Sequence, residues 1–202
     1  MTAKSRIGLM GGTFDPVHYG HLLVAEQARQ QYQLGEVVFV PNCVPPHKKD
    51  YQVSPAECRY AMVLLATGNN SCFSVSREEI QRSGPSYTID TIRAFRRQLG
   101  PDVQLCFITG ADAVWEILTW RQPQDIVAEC QLIAAHRPGF DLQKITAVLG
   151  EDLAGKVEML AMPEMDISST QIRQRVARGQ SIRYLTPQAV ANYICKTGLY
   201  NK

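Results

Sequence analysis

Short apolar runs of β-forming residues recur along this chain, each followed by a longer stretch with helical spacing, and the first ends in paired glycines. The runs cover residues 7–10, 37–40, 72–75, 103–108, 131–135 and 157–161. Strands that are apolar throughout, rather than alternating, are buried on both faces, and helix-length connections pair them in parallel. The sequence therefore predicts an α/β fold, a doubly wound parallel sheet with helices on both faces. Helices are expected from Tyr19 to Tyr32 and from a capping pattern at Ser54-Pro55-Ala56-Glu57 to about Thr67. Others are expected over 88–99 with Thr88 as a cap, from Ser168 to near Arg178, and from a Thr186 cap with Pro187 in the first turn to Gly198. Without a repeat, a low-complexity tract or a clear linker, residues 1–202 read as a single domain with a C-terminal helical part from about 168.

Composition removes several function classes. The chain has 202 residues, 45% of them hydrophobic, with 21 Lys plus Arg against 19 Asp plus Glu. A chain of this size buries roughly 70% of its surface on folding and needs no disulfide staple. A net charge of +2 gives no global pull on a polyanion, so nucleic acid is not an expected partner. No stretch approaches the ~18 apolar residues of a membrane span, and the apolar segment before Gly11 is too short for a signal-peptide core. Cys43, Cys58, Cys72, Cys106, Cys130 and Cys195 are widely spaced with no C-x-x-C pair. They read as free thiols in a reducing cytoplasm rather than as disulfides or zinc ligands.

In open parallel sheets, ligands bind beyond the C-terminal ends of the strands. The chemically loaded segments of this sequence lie there: 11–21, 45–49, 110–112, 136–139 and 167–173. The strongest is Gly11-Gly12-Thr13-Phe14-Asp15-Pro16-Val17-His18-Tyr19-Gly20-His21. Its glycines allow a tight turn and close approach to a ligand. His18 and His21, spaced i and i+3, share one face at a helix start, where N–H groups and the macrodipole favour an anion. The stretch is neither a dinucleotide fingerprint nor a Walker A loop. In the second segment, Ile167-Ser168-Ser169-Thr170-Gln171-Ile172-Arg173, Ser168 and Gln171 form a capping pattern. Hydroxyls of Ser169 and Thr170 and the fork of Arg173 suit a phosphate, and equally an ordinary cap with a surface arginine.

The H-x-G-H element at 18–21 and the I-S-S-T-x-x-R element at 167–173 resemble the paired signature of the nucleotidyltransferase superfamily with a Rossmann-like core. Pro45-Pro46-His47-Lys48, Ser86-Tyr87-Thr88-Ile89-Asp90-Thr91, Gly110-Ala111-Asp112, Trp120 and Arg137-Pro138-Gly139 narrow the resemblance to the bacterial-type nicotinate-mononucleotide adenylyltransferases. It covers nearly the whole chain. It implies transfer of the AMP part of ATP to nicotinate mononucleotide, giving deamido-NAD and pyrophosphate in NAD biosynthesis.

The resemblance also implies roles. His18, His21, Arg173 and Lys48 would be catalytic. Gly11, Gly12, Thr13, Phe14, Gly110, Asp112, Arg137, Ile167, Ser168, Ser169 and Thr170 would bind ATP. His47, Tyr87, Thr88 and Trp120 would bind nicotinate mononucleotide, with Trp120 stacked on the ring and Tyr87-Thr88 at its carboxylate. For each residue a plainer reading stays open: core packing for Trp120, a helix cap for Thr88 or Asp112, a local ion pair for Arg137, a solvated loop for His47 and Lys48. Mg²⁺ is expected to ride on phosphates and water, with no protein ligand, and the chain has scope for a homo-oligomer. The acceptor alternatives are nicotinamide mononucleotide and, further off, phosphopantetheine. A catalytically silent nucleotide-binding module is the alternative from another class.

Overall fold

The computed structural model describes residues 5–44, 53–110, 116–136, 155–163 and 165–201. Six strands pair in parallel: β1 (Arg6–Gly12), β2 (Glu36–Pro41), β3 (Phe73–Val75), β4 (Gln104–Gly110), β5 (Gln131–His136) and β6 (Val157–Ala161). Their order across the sheet is β3-β2-β1-β4-β5-β6. From the central β1 the chain therefore builds outward first to one side and later to the other, and the strand ends part at the β1–β4 boundary. Each strand lies where the sequence predicts it, to within a residue or two.

The described helices are α1 (Tyr19–Gln31), α2 (Ala56–Thr67), α3 (Glu78–Gln81), α4 (Thr88–Leu99), α5 (Pro123–Glu129), α6 (Ser169–Ala177) and α7 (Gln188–Thr197), with a 3-10 turn at Ile117–Thr119. Period-2 alternation within the strands divides the core. Met10, Val37, Phe39, Cys106, Ile108 and Ile133 pack on one face with residues of α1, α2, α6 and α7. Leu9, Val38, Val40, Leu105, Phe107 and Leu132 pack on the other with residues of α4 and α5. Burial on both faces is what uninterrupted apolar strands require. Among the described residues no helix is long and apolar enough to cross a membrane.

Several caps differ from expectation. Pro55, not Ser54, is the N-cap of α2 and has no side-chain acceptor to offer. Pro187, not Thr186, caps α7, because the Thr186 hydroxyl is committed elsewhere, donating to the Val17 carbonyl at 2.7 Å. Tyr87, not Thr88, caps α4, and Thr88 is the first helical residue. Ser168 does cap α6, accepting from the Gln171 amide at 3.1 Å. Helices α3 and α5 were not expected. The first has one turn, and the second starts at Pro123 after Gln122 in a left-handed conformation, a sequence that reads as a turn. Cys130 is the C-cap of α5, and burial pushes its thiol up to about 12. Cys106 in β4 is raised by burial too, so both thiols are inert packing.

Gly8 measures how tightly the sheet centre is filled. A β-carbon there would lie 2.8 Å from Leu34 Cδ1 and 2.9 Å from Ile108 Cδ1. Gly8→Ala is expected to destabilise the fold by about 1–3 kcal/mol through overpacking. A urea midpoint equal to that of the wild type would show that the layer has slack.

Candidate active site

The loop that leaves β1 is held by its carbonyl oxygens. Gly12 O accepts from Asn42 N at 3.0 Å and Thr13 O from Arg59 Nη1 at 2.9 Å. Asp15 O accepts from Arg173 Nη1 at 2.7 Å, Pro16 O from Ser169 Oγ at 2.9 Å, and Val17 O from Thr186 Oγ1 at 2.7 Å. The Asp15 carboxylate, 1% exposed, accepts from Ser54 N at 3.3 Å and from the Tyr200 hydroxyl at 2.6 Å. Burial and the neighbouring carboxylate push the Tyr200 phenol well above its ordinary value, so it stays a donor. Arg59 is as buried as Asp15, and its fork also reaches Ser54 O, Asn42 Oδ1 and Cys43 O at 2.9–3.1 Å. It ties the β1 loop to the β2 loop.

This loop delivers two stacked imidazoles. His18 is the N-cap of α1, and its N–H donates to His21 Nδ1 at 3.2 Å. That bond makes Nδ1 an acceptor, so a neutral His21 carries its proton on Nε2. The rings lie 3.7 Å apart between centroids and 30° from parallel. Gly20 is what allows it: a β-carbon there would sit 3.0 Å from two atoms of the His18 ring. Phe14, with φ 50°, takes a backbone conformation that is strained for a bulky residue. Its ring is buried, edge-on to His21 at 5.1 Å and against Phe39 at 5.7 Å. The Phe14 side chain therefore packs against His21 as support for the histidine pair. His18 is 7% exposed, and its Nδ1 is buried with no hydrogen-bond partner among the described residues. Burial lowers its pKa to about 4, which leaves it neutral near pH 7.

Two cavities open at the ends of β1 and β4. The first, about 350 Å³, is lined by His18, His21, Gly110 and Ile167 together with Leu23, Val24, Met10 and Met162. The second, about 290 Å³, is lined by Thr13, Tyr87, Thr88 and Trp120 together with Asn42, Glu79, Ser86, Phe107 and Arg121. Gly11, Gly12 and Thr109 line both. The histidines and the aromatic side chains thus stand on opposite sides of one strand end. In the second cavity α4 starts without a side-chain cap, so its first N–H groups remain suited to an anion. Trp120 stands edge-on to Phe107 at 6.2 Å. Glu79, 7% exposed, accepts from Thr91 Oγ1 at 2.6 Å, and burial raises its carboxyl above the usual range.

In the signature at 167–173 the Ser168 hydroxyl accepts from the Gln171 amide, as the capping pattern predicts, and the Ser169 hydroxyl donates to Pro16 O, a link to the first signature that the sequence did not indicate. Arg173 bridges Asp15 O and Thr170 Oγ1, the latter at 3.1 Å. His47, Lys48, Asp112 and Arg137 lie outside the described residues. Among the described residues no group of three or more His, Cys, Asp or Glu side chains is arranged to hold a metal. Sequence reasoning missed Arg59, Asn42, Tyr200 and Glu79. Arg59, Asn42 and Tyr200 act through partners that only the fold brings close, while Glu79 is marked only by its burial beside Thr91.

The cytidylyltransferase-like family model matches residues 9–175. A relative from Moorella thermoacetica, named "Probable nicotinate-nucleotide adenylyltransferase", is 52% identical, covering 99% of this chain and 94% of its own. One of the same name from Thermus thermophilus is 49% identical, covering 96% and 99%. The structure of Plasmodium falciparum nicotinic acid mononucleotide adenylyltransferase complexed with NaAD superposes with a TM-score of 0.79 at 21% identity, covering 97% of each chain. That likeness shows the fold.

The His18 environment sets a pH dependence. The unfolded chain binds the His18 proton with the ordinary value of 6.5, the folded chain only near 4. Between those values unfolding takes up a proton. The stability is fully present above about pH 6.5 and is lost as pH falls toward 4, by roughly 3 kcal/mol in all. His18→Asn, which keeps a good cap residue, is expected to flatten this slope. Urea unfolding of both proteins at pH 7 and pH 4.5 tests it, and equal slopes would place the titration elsewhere.

Proposed function

This chain belongs to the cytidylyltransferase-like family and is about half identical, over nearly its full length, to relatives named for nicotinate-nucleotide adenylyl transfer; from that membership we infer that it transfers the adenylyl group of ATP to nicotinate mononucleotide, giving deamido-NAD and pyrophosphate. It is a nucleotidyltransferase of pyridine nucleotide biosynthesis. The observation that carries the reading is the pair of cavities meeting at Gly11, Gly12 and Thr109. Two substrates bound on opposite faces of the sheet would touch only there.

In this reading ATP occupies the first cavity, its base among the apolar side chains and its phosphates beside His18 and His21. The mononucleotide occupies the second, its ring at Trp120 and its carboxylate at the start of α4 beside Tyr87 and Thr88. A phosphate oxygen of the mononucleotide attacks the α-phosphorus of ATP. One P–O bond forms and the α–β bond breaks, with pyrophosphate as the leaving group. The attacking phosphate is mostly dianionic at neutral pH, its second pKa being near 6, so no general base is needed. Rate acceleration comes from alignment and from stabilising charge on the leaving group. His21 would donate a hydrogen bond from Nε2–H to a phosphate oxygen, and Arg173 would add its charge where the two signature segments meet. Lys48 and His47 would add cations from the loop after β2, and Asp112 and Arg137 would hold the nucleotide.

ATP enters as its Mg²⁺ complex. The imidazoles and glycines of the site suit a metal carried on substrate phosphates and water rather than in a carboxylate cage. The proposal includes a cytoplasmic setting, with which the six free cysteines agree, and has scope for self-association.

Two measurements test it. Given ATP and Mg²⁺ with nicotinate mononucleotide, nicotinamide mononucleotide or phosphopantetheine in turn, the protein is expected to form deamido-NAD much faster than the other products. ATP binding without pyrophosphate release on any acceptor would leave a silent nucleotide-binding module. His21→Ala is expected to lower kcat by roughly 10², as loss of an oxyanion donor does. A folded variant with wild-type kcat would remove His21 from the chemistry.

A further inference from the structure

Among the described residues that line the second cavity, Arg121 is the one cation, while Glu79 and Glu116 are acids. Arg121 follows Trp120 directly and lies across from α4. Its guanidinium carbon stands 4.9 Å from the centre of the Tyr87 ring. Its Nη1 is 3.7 Å from Asp90 Oδ2, and the two side chains are 54% and 36% exposed. An ion pair that long and that wet is weak. The guanidinium thus remains able to turn from Asp90 to a better-placed anion at the rim, with the Tyr87 face as its support.

We propose that Arg121 is a specificity-determining residue of the acceptor site, favouring an acceptor whose ring bears a carboxylate over one whose ring bears a carboxamide. The inference rests on the adenylyl-transfer reading above. An anionic ring substituent entering this cavity meets two carboxyl side chains, and a cation at the rim offsets that repulsion. A carboxamide is neutral and gains nothing comparable from the same charge. Nicotinate and nicotinamide mononucleotides carry the same phosphate. An effect of Arg121 on the phosphate would therefore move both acceptors together, whereas an effect on the ring substituent moves their ratio.

The experiment compares kcat/KM for the two mononucleotides in wild type, Arg121→Gln and Arg121→Lys at low and at moderate salt. Arg121→Gln is expected to lower the acid-to-amide ratio by about fivefold to tenfold, the scale of one partly screened charge a few ångströms away. Arg121→Lys is expected to keep most of the ratio, because charge rather than the fork carries the effect. Added salt should lower the ratio in the wild type and hardly alter it in Arg121→Gln. An Arg121→Gln protein with the wild-type ratio, or one in which both acceptors lose equally, would overturn the inference and leave Arg121 as packing for Tyr87. A wild type that uses neither acceptor would overturn the adenylyl-transfer reading itself, and this inference with it.

Discussion

The hydrogen bonds to the carbonyls of Gly12, Thr13, Asp15, Pro16 and Val17 are the constraint on which the site depends. Each is made by a group from elsewhere in the chain: Asn42, Arg59, Arg173, Ser169 and Thr186. A buried carbonyl left without a donor costs about 1–3 kcal/mol, so this loop has little freedom to rearrange. The planar trans peptide sets its C=O and the next N–H in opposite directions. With the carbonyls of Gly12 and Thr13 drawn toward the scaffold, the amides of Thr13 and Phe14 face the other way. The same anchoring fixes where α1 starts, and with it the stack of His18 on His21.

The sheet contributes a second constraint. Because side chains alternate along a strand, the last residues of β1 border both faces at once. Glycine at positions 11 and 12 removes side chains from the boundary, so the two cavities are separated by little more than backbone. Pairing with β2 continues through Gly11 and Gly12, while pairing with β4 reaches Met10, so the strand is held up to the boundary. The apolar cavity keeps His18 neutral, and the aromatic cavity keeps the Glu79 carboxyl raised by burial.

Most of the fold was legible in the sequence because it is written in local terms. Apolar runs of strand length, the Gly198 helix end and the Ser168 cap each depend on a few neighbouring residues. The start of α4 was legible except for which residue caps it, since Thr88 looks the better cap and yet Tyr87 holds that place. The two signature segments were legible as motifs, but the reason they occur together was not. Ser169 and Arg173 bind the first segment directly, a relation that spacing does not reveal. Arg59 reads as a surface helix arginine and is 1% exposed. Its partners come from the loop after β1 and from both ends of the connection between β2 and α2, and only the folded chain brings them to one point.

The pairing of early and late residues has a consequence for synthesis. The hydroxyl of Ser169 reaches back 153 residues, the guanidinium of Arg173 158, the hydroxyl of Thr186 169 and that of Tyr200 185. A chain emerging from the ribosome exposes the β1 loop among its first segments and its anchors among its last. For most of translation the loop has strand partners but no donors for Asp15, Pro16 and Val17, and contacts of such long range also close slowly. The histidine pair can thus take its final geometry only after α6 and α7 have docked, so that a nascent chain owns a nearly complete sheet well before it owns a competent site.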